Sequence, residues 1–159
     1  MAKLACLLVL AVIAVGCGSS AAKQAEPPKP GPGRIVYQGS EWAVVIDGGK
    51  ATAEHLVGDA WQAAQPGTVK IDVLGPKPGS KGNPSTPQVA AALSAGDELA
   101  ESALWVDGVE LLEKGGGLTP TRGTIYGAPA APLATGEHTA IAYARTGTHA
   151  FAVAWTFSV

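Results

Sequence analysis

Hydrophobic and polar positions divide the chain into three textures. Leu4 to Val15 is an unbroken apolar stretch that follows a short cationic start, Met1 to Lys3. Gly18 to Gly33, GSSAAKQAEPPKPGPG, holds no large apolar residue and carries prolines at 27, 28, 30 and 32. From Arg34 onward, β-branched and aromatic residues recur in short runs broken by glycine, proline and aspartate, the texture of strands and turns. Ile35 to Tyr37 and Trp42 to Ile46 predict two short strands, with Gly39-Ser40 between them and Asp47-Gly48-Gly49 turning after the second. Between Thr52 and Ala64 the apolar residues Ala53, Leu56, Val57, Ala60, Trp61 and Ala64 keep a helical period. That stripe predicts an amphipathic helix stopped by Pro66-Gly67, with His55 and Asp59 as neighbours on its polar face. Gly58 would weaken it by about 1 kcal/mol relative to alanine.

The remainder alternates with a period of two. Val69, Ile71 and Val73 interleave with Lys70 and Asp72, which predicts one buried and one wet face. Gly75 to Pro87 reads as a loop, Val89 to Leu93 as a strand, and Leu104 to Leu111 as a hairpin turning at Asp107-Gly108. Gly115 to Gly117 reads as a loop, and Thr124 to Tyr126 and His138 to Arg145 as strands. In the last strand Phe151, Val153, Trp155, Phe157 and Val159 share one face, with Ala152, Ala154, Thr156 and Ser158 on the other. His138 to Arg145 leaves its facing open, because its alanines lie on one side and Ile141 and Tyr143 on the other. The expected fold is mostly β. It is an antiparallel immunoglobulin-like sandwich of about seven strands over residues 68–159, preceded over 34–67 by a strand pair and one helix.

The first texture is an address. Twelve residues from Leu4 to Val15 would span about 18 Å as a helix, well short of the roughly 30 Å hydrocarbon core, so the stretch reads as a signal peptide rather than a span. Ala14-Val15-Gly16-Cys17 resembles the cleavage site of bacterial lipoproteins. The resemblance implies removal of residues 1–16, a diacylglycerol on the Cys17 sulfur and an acyl chain, such as palmitate, on its amino group. Each buried CH2 contributes about 0.8 kcal/mol, so several chains on one residue hold a protein to a membrane without a spanning helix. Cys6 leaves with the signal and Cys17 is consumed, so neither a catalytic thiol nor a cysteine-ligated zinc is expected. Residues 18–33 then read as a spacer too poor in apolar surface to fold, reaching roughly 50 Å if extended as polyproline II. The same resemblance implies a place in the bacterial envelope. Gly18, where aspartate would favour the inner membrane, implies the outer membrane in a cell that has one.

A second resemblance covers about Val69 to Val159. Val106-Asp107-Gly108, then Leu133-Ala134-Thr135-Gly136-Glu137-His138-Thr139, then Trp155-Thr156-Phe157-Ser158-Val159, together with Gly75-Pro76-Lys77-Pro78-Gly79, are similar to the immunoglobulin-like or fibronectin-III-like modules of bacterial surface proteins. The resemblance implies a structural or recognition module without catalytic residues. It also implies a structural role for His138, hydrogen-bonded back to the main chain in the manner of a tyrosine corner. Arg145-Thr146-Gly147-Thr148 stands where the family has an aspartate and a Gly-Asn turn, so a cation-binding role for that aspartate does not carry over.

Charge and chemistry narrow the picture further. Charged residues make up 15% of the chain and the net charge is −2, with no basic stripe for nucleic acid. Loss of Lys3 with the signal lowers the 11 Lys and Arg by one against 13 Asp and Glu, so no polybasic second membrane signal assists the lipid. A zinc or copper site needs three or four convergent ligands, and there is no HxxxH or HxH among His55, His138 and His149; the only methionine is Met1. No GxSxG elbow occurs, and Asp47-Gly48-Gly49-Lys50 is a turn rather than a phosphate cradle. No cofactor, metal or catalytic residue is expected. Trp105 and Trp155 alternate with core positions, which leaves Trp42 and Tyr37 as the candidate exposed aromatic pair that could stack on a sugar or a partner surface. The expected function is a non-enzymatic, lipid-anchored envelope module for protein binding, adhesion or assembly. The alternative is a periplasmic-face protein that binds a small ligand, such as a carbohydrate, or a metal.

Overall fold

A computed structural model describes residues 33–111, 114–119 and 121–159; the signal segment, Cys17 and nearly all of the spacer lie outside them. The described residues form twelve antiparallel strands in three four-stranded sheets. The first sheet is a meander of β1 (Arg34–Gln38), β2 (Trp42–Asp47), β3 (Lys50–Val57) and β4 (Ala60–Ala63), paired in that order. β5 (Lys70–Gly75), β6 (Val89–Ser94), β10 (Arg122–Gly127) and β9 (Lys114–Thr119) make the second, in the order β5-β6-β10-β9. The third runs β12-β11-β7-β8, from β7 (Glu101–Val106), β8 (Val109–Glu110), β11 (Glu137–Arg145) and β12 (Ala150–Ser158).

Two apolar cores show how the sheets stack. One joins the second and third sheets through Ile71, Leu93, Leu104, Ile125, Trp155 and Phe157. The other joins the meander to the third sheet through Trp42, Val44, Trp105, Ile141 and Tyr143. The third sheet is therefore the middle layer, buried on both faces. This resolves the facing of β11: Ala140, Ala142 and Ala144 point to the second sheet, and Ile141 and Tyr143 point to the meander. All five are fully buried, which a strand with one wet face would not allow. The alanines leave room for Trp155 and Phe157 on their side, while β12 turns its own Ala150 and Ala152 to the aromatic side. Large faces small across each interface, as close packing requires.

The helix expected between Thr52 and Ala64 does not form; these residues are β3, a tight turn and β4. Gly58 has φ +62°, and Val57 pairs with Ala60, so Gly58-Asp59 is the two-residue loop of a hairpin. A left-handed glycine there is what a primed turn needs, whereas inside a helix it would only weaken it. The helical spacing arose because Leu56 and Val57, successive residues at a partly exposed strand end, mimic an i+3, i+4 pair. His55 and Asp59 are consequently not helical neighbours. Residues 115–117, expected as a loop, belong to the edge strand β9. The paired-strand readings of 34–47, the Asp47 to Lys50 turn, and the alternation of Ile71 with Lys70 and Asp72 agree with the structure. Among the described residues, eight strands run from Lys70 to Ser158, where about seven were expected.

The C-terminal end of the β12 edge is paired with the Pro and Gly loop after β5. Gly79 N–H donates to Thr156 O at 2.7 Å, Ser158 N–H to Ser80 O at 2.8 Å, and Asn83 Nδ2 to Ser158 O at 2.9 Å. Pairing the edge with a loop removes a template for aggregation. The Trp155 indole also donates to Pro76 O at 2.9 Å, which ties that loop to the core. Among the described residues no helix is long and apolar enough to cross a membrane.

Candidate apolar groove and its histidine corner

The hairpin between β7 and β8 turns on Asp107 and Gly108, both in the left-handed region with φ 51° and 82°. Aspartate is one of the few side chains that tolerates this conformation, so the Asp-Gly pair sets a two-residue primed turn. The turn aims the Asp107 carboxylate at the start of β11. Oδ1 accepts the Thr139 N–H at 2.9 Å, and Oδ2 lies 2.7 Å from His138 Nδ1. His138 Nε2 lies 2.8 Å from Ala134 O, so the imidazole bridges a turn and a loop. Its ring also packs 5.8 Å from Phe157.

Both partners of the imidazole are acceptors, and only the protonated ring donates from both nitrogens at once. The hydrogen bond to Asp107 raises the His138 pKa above the ordinary histidine value; the Ala134 carbonyl adds to this, and burial opposes it. His138 makes the backbone contact that the resemblance implies and adds a carboxylate to it. The arrangement clamps three segments.

Beside this clamp lies an open groove of about 430 Å³, between the β7–β8 hairpin and residues 128–133. Val109 and Leu111 line it from the hairpin, Pro129, Pro132 and Leu133 from the facing segment, and Asp107 and Glu110 also border it. Val109 is 68% exposed, the most exposed large apolar side chain among the described residues. A volume of this size with an apolar lining and few polar groups fits a small ligand or a short stretch of peptide. Sequence reasoning did not single out these residues. The signal was Ala128-Pro129-Ala130-Ala131-Pro132-Leu133, six consecutive residues with no polar side chain in a region that is otherwise turn.

Trp42 and Tyr37 do not form the exposed pair expected of them. Trp42 is 5% exposed, facing the middle sheet, because β2 is the inner strand of the meander that covers it. Its ring stacks on His55, its cross-strand partner, at 4.2 Å and 14°, and the Arg145 guanidinium sits 5.5 Å from its centre. Tyr37 is half-buried, with Trp105 and Tyr143 rings 6.2 and 6.1 Å away. Arg145 Nε donates to Glu101 Oε2 at 2.7 Å from the paired position on β7. Burial, then a hydrogen bond to Glu101, raises the Tyr37 pKa. Burial first and the Glu101 charge second raise that of Tyr143. These groups form a polar seam that joins the meander to the middle sheet.

The Arg145 to Thr148 turn is closed by Thr146, whose hydroxyl accepts the His149 N–H at 3.1 Å. His149 itself bonds Thr148 Oγ1 at 2.9 Å and packs against Gly67, where a Cβ would come within 2.6 Å of the ring. His55, His138 and His149 are thus in three separate places, and among the described residues no group of three His, Cys, Asp or Glu converges as a metal site would require. No family model and no curated protein matches the chain.

Proposed function

We propose that the chain is a lipid-anchored protein of the bacterial envelope. In this reading it is not an enzyme; it presents its β module to an envelope protein for binding or assembly. The observation that carries the reading is the order of the sequence: a cationic start, the apolar run Leu4 to Val15, Cys17, a proline-rich spacer and then a folded unit. Acyl chains on Cys17 hold the protein to the membrane, in the outer membrane of a cell that has two. Within the folded unit, the second and third sheets correspond to the immunoglobulin-like sandwich, and the meander is an extra layer upon it. Antiparallel pairing throughout, the Asp107-Gly108 turn and the His138 contact to Ala134 support that correspondence.

Radiolabelled palmitate is expected to enter the wild-type protein and not Cys17→Ala, with the unlabelled variant released from membranes by mild washing. Equal labelling of both would overturn the anchor. Calorimetric titration with copper, zinc and calcium separates a recognition module from a metal carrier: no heat of binding is expected at micromolar metal, and tight binding of any of the three contradicts this reading.

A further inference from the structure

The groove beside Asp107 lies where the chain enters its fold. Arg34, the first residue of β1, extends its guanidinium over the hairpin turn, with Nη1 3.3 Å from Asp107 O, and a Cβ on Gly108 would meet that nitrogen at 2.7 Å. Asp107 is also a groove residue. The segment before Arg34, Pro27-Pro28-Lys29-Pro30-Gly31-Pro32, therefore starts within one side-chain length of the groove rim. Six residues reach about 19 Å in an extended polyproline path, enough to cross the groove.

The groove's chemistry matches that segment. Its lining is aliphatic and proline; Glu110 pairs with Trp105, whose ring faces the meander, so alternation sets the Glu110 side chain on the meander side of β8 and Val109 on the groove side. Asp107 is engaged by His138 and Thr139, which leaves Glu110, exposed at the free edge of the third sheet, for a cation. Backbone groups are available as well. Leu111 N–H donates to Leu104 O, and Glu110 stands opposite Trp105 at the next position. Alternation of an antiparallel ladder then turns the Glu110 N–H and C=O outward, away from β7. An incoming extended strand could use that donor for its own carbonyl. A proline-rich strand offers carbonyls and apolar rings and is pre-set in an extended form, so it loses little entropy on docking.

We propose that this groove is the docking site of the chain's own Pro27–Pro32 segment, with Lys29 on Glu110 and prolines over Val109 and Leu133. The inference goes beyond the envelope reading. If the chain is anchored as proposed, the tether between lipid and module shortens from about 50 Å to about 28 Å.

Carbodiimide coupling of the purified full chain tests this, since the reagent joins an amine to a carboxylate only where the two are in contact. Peptide mapping is expected to find Lys29 joined to Glu110, with Lys23 as an internal control that couples weakly. In Val109→Ser the yield should fall by about tenfold, the equilibrium change for losing one docked aliphatic contact. Val57→Ser, another exposed aliphatic, at the far end of β3, should leave it unchanged, and unaltered melting of both variants shows that the fold persists. Lys29 coupling that is absent, scattered over other acids or insensitive to Val109→Ser overturns the proposal. Mixing heavy-isotope and light-isotope chains tells whether the segment comes from the same molecule; mixed products would assign the groove to a second copy instead. The measurement reads Lys29 whether or not Cys17 carries lipid, so its failure and a failure of palmitate labelling are separate results.

Discussion

The two faces of the middle sheet are built from different materials. Toward the second sheet the contacts are Leu104, Val106, Trp155 and Phe157 over the alanines of β11, an apolar core whose one indole N–H is satisfied by Pro76. Toward the meander they are Trp42, Trp105, Ile141 and Tyr143, edged by the Arg145–Glu101 pair and the stacked His55. Among the described residues the Tyr143 hydroxyl, buried in that second interface, has no hydrogen-bond partner. The comparison teaches that one sheet can serve two partners by placing large residues on alternate strands. The first interface depends chiefly on apolar burial, and the second mixes burial with polar contacts that contribute less.

Deleting the largest piece of the first face should have the largest effect. Trp155→Ala is expected to cost about 3 to 5 kcal/mol in urea unfolding, through lost burial and the cavity left behind. A loss below about 1 kcal/mol would mean that Trp155 is not buried between the second and third sheets.

Gly58→Ala sharpens the account of the meander by its sign. In a hairpin at φ +62° with nothing near a new Cβ, only backbone strain is added, and a loss of about 1 to 2 kcal/mol is expected. In a helix the same change would gain about 1 kcal/mol.

A smaller effect comes from His138, at the end of the first face. Its pKa is raised in the folded state, chiefly by Asp107, so its stabilisation is complete below the unfolded value of about 6.5 and disappears as pH rises through the folded one. The urea midpoint of the wild type should therefore fall between about pH 6 and pH 9 relative to His138→Gln, which lacks this titration. Parallel curves for the two proteins would show that the imidazole pKa does not change on folding.

The smallest effect belongs to the second face. Tyr143→Phe removes a buried hydroxyl that lacks a partner among the described residues, so stability should stay level or rise by about 1 kcal/mol. A clear loss would reveal a hydrogen bond holding the seam together and would make the two interfaces more alike than they now look.

Much of this was legible in the residues, for identifiable reasons. Strands with one wet face showed through their period of two, as in Lys70 to Val73, and turns showed through Asp-Gly and Gly-Gly pairs that tolerate positive φ. The meander hairpin was hidden because its apolar residues happen to fit a helical period, and only Gly58 argued against it. β11 could not be assigned a face because both of its faces are inside, a property of the third layer rather than of the strand. The groove left only the trace of an uncharged loop, since its shape comes from two segments about twenty residues apart in sequence. Trp42 misled for a related reason. Its ring is covered by the middle sheet, distant in sequence, which no local pattern discloses.

The central claim is that residues 34–63 form an integral third layer. Amide hydrogen exchange tests it most directly, by comparing the slowest amides of β2 and β3 with those of β11. The layered account predicts that both sets open with the same free energy and respond equally to low urea, as parts of one cooperative unit. Exchange in β2 and β3 that is far faster than in β11, with β11 still protected, would show instead that the meander is an appendage on a self-sufficient sandwich.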